Sequence, residues 1–274
     1  MPSRRTVALV WAVGSRLPHW AREAIARAGG WLLGWRSPLQ VPQWEANVEA
    51  LTGRRPTRRQ RQELLTNWAR NNLMSLSLGG WSDADVLKRG IITPTDHAKV
   101  DSSLAGPGLI MALPHMGSWD FAGAWCARVG VKIVSVAERL PAGLYERFAE
   151  ARSQMGMDIY PMGSPGIIHT LAEHVKRRHA VCLLSDRALG GKGVPADFAG
   201  IPVTMPSGAA TLALKTGADL RAVVTRFHGD RVEMLVSDPI AHTDAETMTQ
   251  ELADYFADGA RRYPTSWLLL RKLR

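Results

Sequence analysis

Short apolar runs alternate with amphipathic stretches through the last two thirds of the chain. Residues 108–113, 132–136, 158–160 and 181–184 are brief and largely apolar, and Gly or Pro lies close to an end of each of the first three. They are too short for free helices and read as strands. Between them, residues 118–128, 141–155 and 166–178 read as helices, with Pro141 in a favoured first-turn position and Gly156 closing the second. Residues 190–205 are rich in Gly and Pro and predict a loop. Residues 206–216 predict a helix stopped by Gly217. A hairpin of 221–226 with 232–236 is expected around Gly229-Asp230, then a last helix over 243–262. Strand–helix alternation of this kind predicts an α/β fold, a mostly parallel central sheet flanked by helices with right-handed crossovers.

The first hundred residues follow the helical period instead. Leu17, Trp20, Ala21, Ala24, Ile25, Ala28, Trp31, Leu32 and Trp35 recur at three- and four-residue steps, with Arg22, Glu23 and Arg27 on the other side. This amphipathic helix, weakened at Gly29-Gly30, can pack on the core, rest on lipid, or do both along different edges. A second helix is capped by Thr57 and stopped by Gly79-Gly80. Residues 82–107 predict a short helix and a connecting loop. The division expected is a membrane-facing amphipathic helical region over 1–100 and an α/β core over 101–274, together one integrated domain.

Charge sharpens this division. Residues 1–100 hold 15 Lys and Arg against 7 Asp and Glu, and seven of the ten tryptophans. Cations beside indoles suit an anionic membrane surface, where indole sits at headgroup level and cations meet phosphate. The basic turn at 54–59 and the closing Trp267-Leu268-Leu269-Leu270 with its basic tail are further candidate lipid contacts. Nucleic acid is not expected as a partner: no zinc-finger spacing, RNA-recognition signature or basic heptad helix occurs. The N-terminal apolar stretch at 7–13 is well short of the roughly 20 residues of a bilayer span and lacks a convincing cleavage site. A protein resting on the cytoplasmic face of the plasma membrane is the expectation. Cys126 and Cys182 lie in apolar surroundings and read as buried free thiols. His169, His174 and His179 read as exposed helix residues.

Candidate chemistry gathers at strand ends, where open α/β sheets place their ligands. The strand at 108–113 ends at Pro114 and delivers His115. Ser118 suits a helix N-cap. With His115 in the turn and Asp120 in the helix's first turn, the Asp120 carboxylate can fold back to one imidazole nitrogen and leave the other free as a general base. Glu138 and Arg139 follow the next strand, either as surface pairs or as a site for phosphate or a lipid headgroup. Asp186 and Arg187 follow the strand at 181–184. No G-x-S-x-G nucleophile elbow and no metal-ligand cluster occurs.

His115-Met116-Gly117-Ser118-Trp119-Asp120 resembles the H-x-x-x-x-D box of glycerolipid acyltransferases. Within that superfamily it is similar to the branch of bacterial lipid A late acyltransferases and phosphatidylinositol mannoside acyltransferases. The likeness continues through Ala137-Glu138-Arg139-Leu140, Leu144-Tyr145, Arg147-Phe148, Asp186-Arg187, Gly193-Val194, Asp197-Phe198 and Met205-Pro206 with Gly208. It implies a glycerol-3-phosphate acyltransferase-like fold and a fatty acyl transfer, palmitoyl above all, from acyl-CoA to a mannose hydroxyl of phosphatidylinositol mannosides. Acyl-CoA would be a co-substrate, with no further cofactor and no metal. His115 would be the base, Asp120 its partner and Asp186 a further acidic partner. Glu138 and Arg152 match charged positions near the family's site; Arg139, Arg187 and Ser118 complete the candidate substrate-binding set. Asp186 stands where relatives usually carry the longer Glu, and Ala199 where a second Phe is common. Rival readings are acyl transfer to a lysophospholipid or lipid A type acceptor, a thioesterase-like hydrolase, and a non-catalytic lipid-binding module.

Overall fold

The computed structural model describes residues 11–35, 38, 40–140, 143–188 and 193–273. Among the described residues, the helices α1 (His19–Leu33), α2 (Val41–Thr52), α3 (Arg58–Ser77) and α4 (Asp83–Arg89) precede the first strand. The alternating part follows as β1 (Gly90–Ile91), α5 (Pro94–Ala105), β2 (Leu109–Leu113), α6 (Trp119–Arg128), β3 (Ile133–Ala137), α7 (Leu144–Gln154), β4 (Met157–Pro161), α8 (Ile167–Lys176) and β5 (Ala180–Leu184). The chain then forms β6 (Val194–Asp197), β7 (Pro202–Met205), α9 (Gly208–Thr216), β8 (Asp219–His228), β9 (Arg231–Val236) and α10 (Ala245–Arg262).

Seven strands make one sheet in the order β1-β9-β8-β2-β5-β3-β4. Only the β8–β9 hairpin pairs antiparallel within it. Side chains alternate across the strands, so each face has its own core. Ile110, Ala112, Val134 and Val181 point to one face, where α8, α9 and α10 join α2. Leu109, Met111, Leu113 and Ile133 point to the other, with Val86, Val100, Phe121 and Trp125 from α4, α5 and α6.

The parallel sheet and its helices are where the periodicity put them. Two segments are not. Residues 94–105 form α5 rather than a loop. Thr93 accepts from the Asp96 N–H (3.0 Å) and Pro94 takes the first turn, signals of a helix start in a stretch with few apolar positions to show a period. Residues 194–205, expected as loop, hold the antiparallel β6–β7 pair, with Pro195 paired to Thr204. The Pro141 helix start lies outside the described residues, as do 190–192 of the expected loop; α7 is described from Leu144.

The N-terminal helix is inverted relative to an ordinary surface helix. Glu23 forms an ion pair with Arg70 of α3, and the Arg22 guanidinium lies 4.6 Å from the Trp81 ring centroid. Further along, Ala26, Gly30 and Gly34 are buried. Gly30 is therefore no weak point: any side chain there would collide with Thr66 and the Gln62 carbonyl of α3. Turned outward are Trp20, Ile25, Trp31, Leu32 and Trp35, with Trp20 75% exposed. The closing segment behaves oppositely to expectation. Trp267, Leu268 and Leu269 are buried and belong to the core.

Candidate active site

His115 sits in a turn that the rest of the fold holds from both sides. The Thr225 hydroxyl of β8 donates to the Met116 carbonyl (2.6 Å). The Gly117 N–H donates to Ser266 O (2.8 Å) and the Leu268 N–H to His115 O (2.8 Å). Gly117 has φ +54, and a Cβ on it would lie 2.6 Å from the Thr225 backbone. Only glycine meets both conditions without strain. Ser118, fully buried, caps α6 by accepting from the Phe121 N–H (3.4 Å). It does not line the cavity described below.

The acidic partner of His115 comes from the neighbouring strand. β2 and β5 run parallel with Leu113 opposite Leu184. The Ser185 N–H extends the pairing to Leu113 O (2.8 Å), which brings Asp186 beside His115. One Asp186 oxygen accepts from the His115 backbone N–H (2.8 Å) and the other lies 2.6 Å from Nδ1. A carboxylate only accepts, so the proton sits on Nδ1 and Nε2 keeps its lone pair. The Asp186 side chain is fully buried, whereas His115 keeps 26% of its side chain exposed. Burial pulls the His115 pKa down, but the charge and hydrogen bond of Asp186 outweigh it and hold the pKa above its ordinary value of 6.5.

Asp120 does not fold back to the imidazole. Arg152 of α7 takes its carboxylate in a two-point grip, Nε to Oδ1 at 2.7 Å and Nη2 to Oδ2 at 3.2 Å. The guanidinium fork fits both oxygens at once and outcompetes a single bond to a ring nitrogen. Glu138 faces Arg187 at 3.8 Å, both partly exposed. Arg139 is exposed and makes no ion pair among the described residues.

A cavity of about 610 Å³ opens beside His115. Trp119, Asp120, Glu138, Arg152 and Arg187 line it together with His115, while Asp186 and Arg139 do not. Its deeper wall is apolar, with Met111, Leu113, Ile133, Met157, Trp125 and Val223 among the contributors. Residues one apart on β2, β3 and β5 alternate faces, so the apolar wall follows the same sheet face as α6. Trp119 packs edge-on to His115, centroids 5.5 Å apart. Cys126 and Cys182 are free and line the cavity; burial pushes Cys126 up to about 12 and Cys182 well above the usual thiol range, so neither is a thiolate nucleophile. Among the described residues no cluster of three or more His, Cys, Asp and Glu could hold a metal ion.

Two features escaped the sequence. His174 is buried rather than exposed, and Tyr160 OH lies 2.9 Å from its Nε2; His169 is exposed and His179 half-buried. Asn71, Asn72 and Ser75 of α3 line the cavity. The available signal was polar residues at four-residue steps, Asn67, Asn71 and Ser75, along the buried side of a helix.

A profile of bacterial lipid A biosynthesis acyltransferases matches residues 4–273. The chain belongs to that family. A phosphatidylinositol mannoside acyltransferase of Mycolicibacterium smegmatis is 40% identical over 172 residues, 61% of this chain and 57% of the relative. One of Mycobacterium tuberculosis strain H37Rv is 37% identical over 187 residues, 66% of this chain and 58% of the relative. The chain thus spans under three fifths of the length of the curated relatives it matches. The strand-end turn at His115 and the parallel neighbour carrying Asp186 both lie inside the family match.

Proposed function

We propose that this protein is an acyl-CoA-dependent O-acyltransferase that moves a fatty acyl group, palmitoyl foremost, to a mannose hydroxyl of phosphatidylinositol mannosides at the cytoplasmic face of the plasma membrane. The observation that carries the reading is His115, its Nδ1 committed to buried Asp186, on the wall of a largely apolar cavity. Family membership and the names of the two mycobacterial relatives support the acceptor.

In this mechanism the thioester carbonyl lies beside His115 with its alkyl chain along the apolar wall. Nε2 takes the proton as the sugar hydroxyl attacks the carbonyl carbon. The tetrahedral adduct collapses by breaking the C–S bond, and the imidazolium returns the proton to the departing thiolate. Asp186 stabilises the imidazolium between the two transfers. General-base help of this kind contributes about 10²–10⁴-fold. The Phe121 N–H of α6 is taken by Ser118; those of Trp119 and Asp120 before it have no intrahelical acceptors and supply donors for the developing oxyanion. No acyl-enzyme is formed, so no nucleophilic Ser or Cys is required.

The membrane part of the reading rests on α1. Its Glu23 and Arg22 are spent on Arg70 and Trp81, and its tryptophans face outward beside the basic start of α3, where Arg58 stacks on Trp35 at 4.0 Å. No described helix is long and apolar enough to cross a membrane, which suits contact along the surface.

The test offers palmitoyl-CoA with phosphatidylinositol mono- and dimannoside, using phosphatidylinositol, a lysophospholipid and water as competing acceptors. Mannose-dependent acyl product supports the reading. Product on phosphatidylinositol or lysolipid alone keeps the chemistry and sinks the acceptor. Free fatty acid alone sinks transfer in favour of hydrolysis.

A further inference from the structure

Among the described residues, three buried side-chain atoms lack a hydrogen-bond partner: Asn71 Oδ1, Arg89 Nε and Trp267 Nε1. Of these residues only Asn71 lines the cavity that holds His115. It is 5% exposed. Buried amides elsewhere are satisfied. Asn67, one turn earlier on α3, donates to Thr265 O (3.0 Å) and accepts from Arg70 (2.9 Å). Asn47 donates to Arg271 O (2.8 Å) and accepts from Gln43 (3.0 Å). An unpaired buried carbonyl is costly, and folded proteins rarely keep one without a use. Leucine, of similar volume, would suit the apolar wall better if packing were the only demand.

Position points to that use. α3 packs against α6 and α7, the helices that carry Asp120 and Arg152, and all three side chains line the same cavity. Asp120 and Arg152 neutralise each other, which leaves the neighbourhood without net charge. An amide carbonyl there is complementary to an uncharged O–H or N–H rather than to an ion.

We propose that Asn71 is a substrate-binding residue whose carboxamide oxygen accepts a hydrogen bond from an uncharged O–H or N–H of a substrate in the cavity. Two groups of the reaction carry that chemistry: a sugar hydroxyl of the acceptor and an amide N–H of the donor's pantetheine arm. The inference rests on the acyl-transfer reading above.

The test compares wild type with Asn71→Leu and Asn71→Ala. It measures kcat, the KM for palmitoyl-CoA, the KM for phosphatidylinositol monomannoside, and Tm. One KM rises about tenfold in both variants, the worth of one neutral hydrogen bond, while kcat stays within about twofold. Tm holds or rises in Asn71→Leu, because no bond of the free protein is lost. A raised acceptor KM assigns the partner to the sugar hydroxyl; a raised donor KM assigns it to the pantetheine amide. Unchanged KM values in an active protein overturn this inference alone, as does failure of both variants to fold. A wild type that transfers no acyl group overturns the functional reading and this inference with it.

Discussion

In the proposed acyl transfer, Asp186 would set the pH at which His115 serves as the base. The imidazole acts neutral, and its pKa is held above 6.5 by a buried carboxylate that outweighs burial of the ring. Activity therefore falls as pH drops through a value above 6.5. The same pair adds stability that is fully present below the ordinary histidine pKa and is lost as pH rises through the raised one. Asp186→Asn removes the charge and leaves the burial. The acid limb of kcat/KM then moves to lower pH and the rate falls by about 10²-fold or more; a limb that stays in place would detach Asp186 from the base. His115 was legible in the sequence because an apolar run ending in proline marks a strand end. Its partner was not legible from local pattern. Asp120 is five residues away and Asp186 is seventy-one, and only the parallel pairing of β2 with β5 makes the distant one the neighbour. Resemblance to a family had named Asp186, without saying that Asp120 would turn elsewhere.

Asp120 and Arg152 act as a clamp between elements, tying the first turn of α6 to α7. Both side chains are largely buried, so losing one partner strands the other's charge. Asp120→Ala should cost about 3–5 kcal/mol in denaturant unfolding, and Asp120→Asn with Arg152→Met should recover most of it. A loss under about 1 kcal/mol in the single variant would show the pair to be a weak surface bridge. The strands and helices flanking this clamp were readable because apolar periods of two and of 3.6 are strong signals. The two misread segments lack such periods. α5 is Pro-Thr-Asp-His-Ala-Lys-Val-Asp-Ser-Ser-Leu-Ala, declared by its cap rather than by an apolar face. The β6–β7 pair alternates buried and exposed residues over only four positions per strand, and its prolines and glycines read as loop.

For the whole molecule, the orientation of α1 links the fold to its surroundings. Arg22 and Glu23 face the protein while the indoles of Trp20 and Trp31 face out, an arrangement costly in water and favourable at a headgroup layer. Trp20→Ala with Trp31→Ala should weaken binding to vesicles containing phosphatidylinositol by about tenfold or more, with little change in Tm because neither indole is buried. Unchanged vesicle binding would remove α1 from the membrane contact. The amphipathic period of this helix was plain in the sequence, but which side would meet the protein was not, because small residues at 26, 30 and 34 decide it through close approach to α3. The residue- and element-scale features converge on His115, at the end of β2, on the cavity wall and partly open to solvent. The most direct test of that convergence is transfer from palmitoyl-CoA to phosphatidylinositol monomannoside by wild type and by His115→Ala, with Tm confirming that the variant is folded. Mannose-dependent product is expected from wild type, with a loss of about 10²–10⁴-fold in the variant. Equal product from both would contradict this and leave His115 a structural residue.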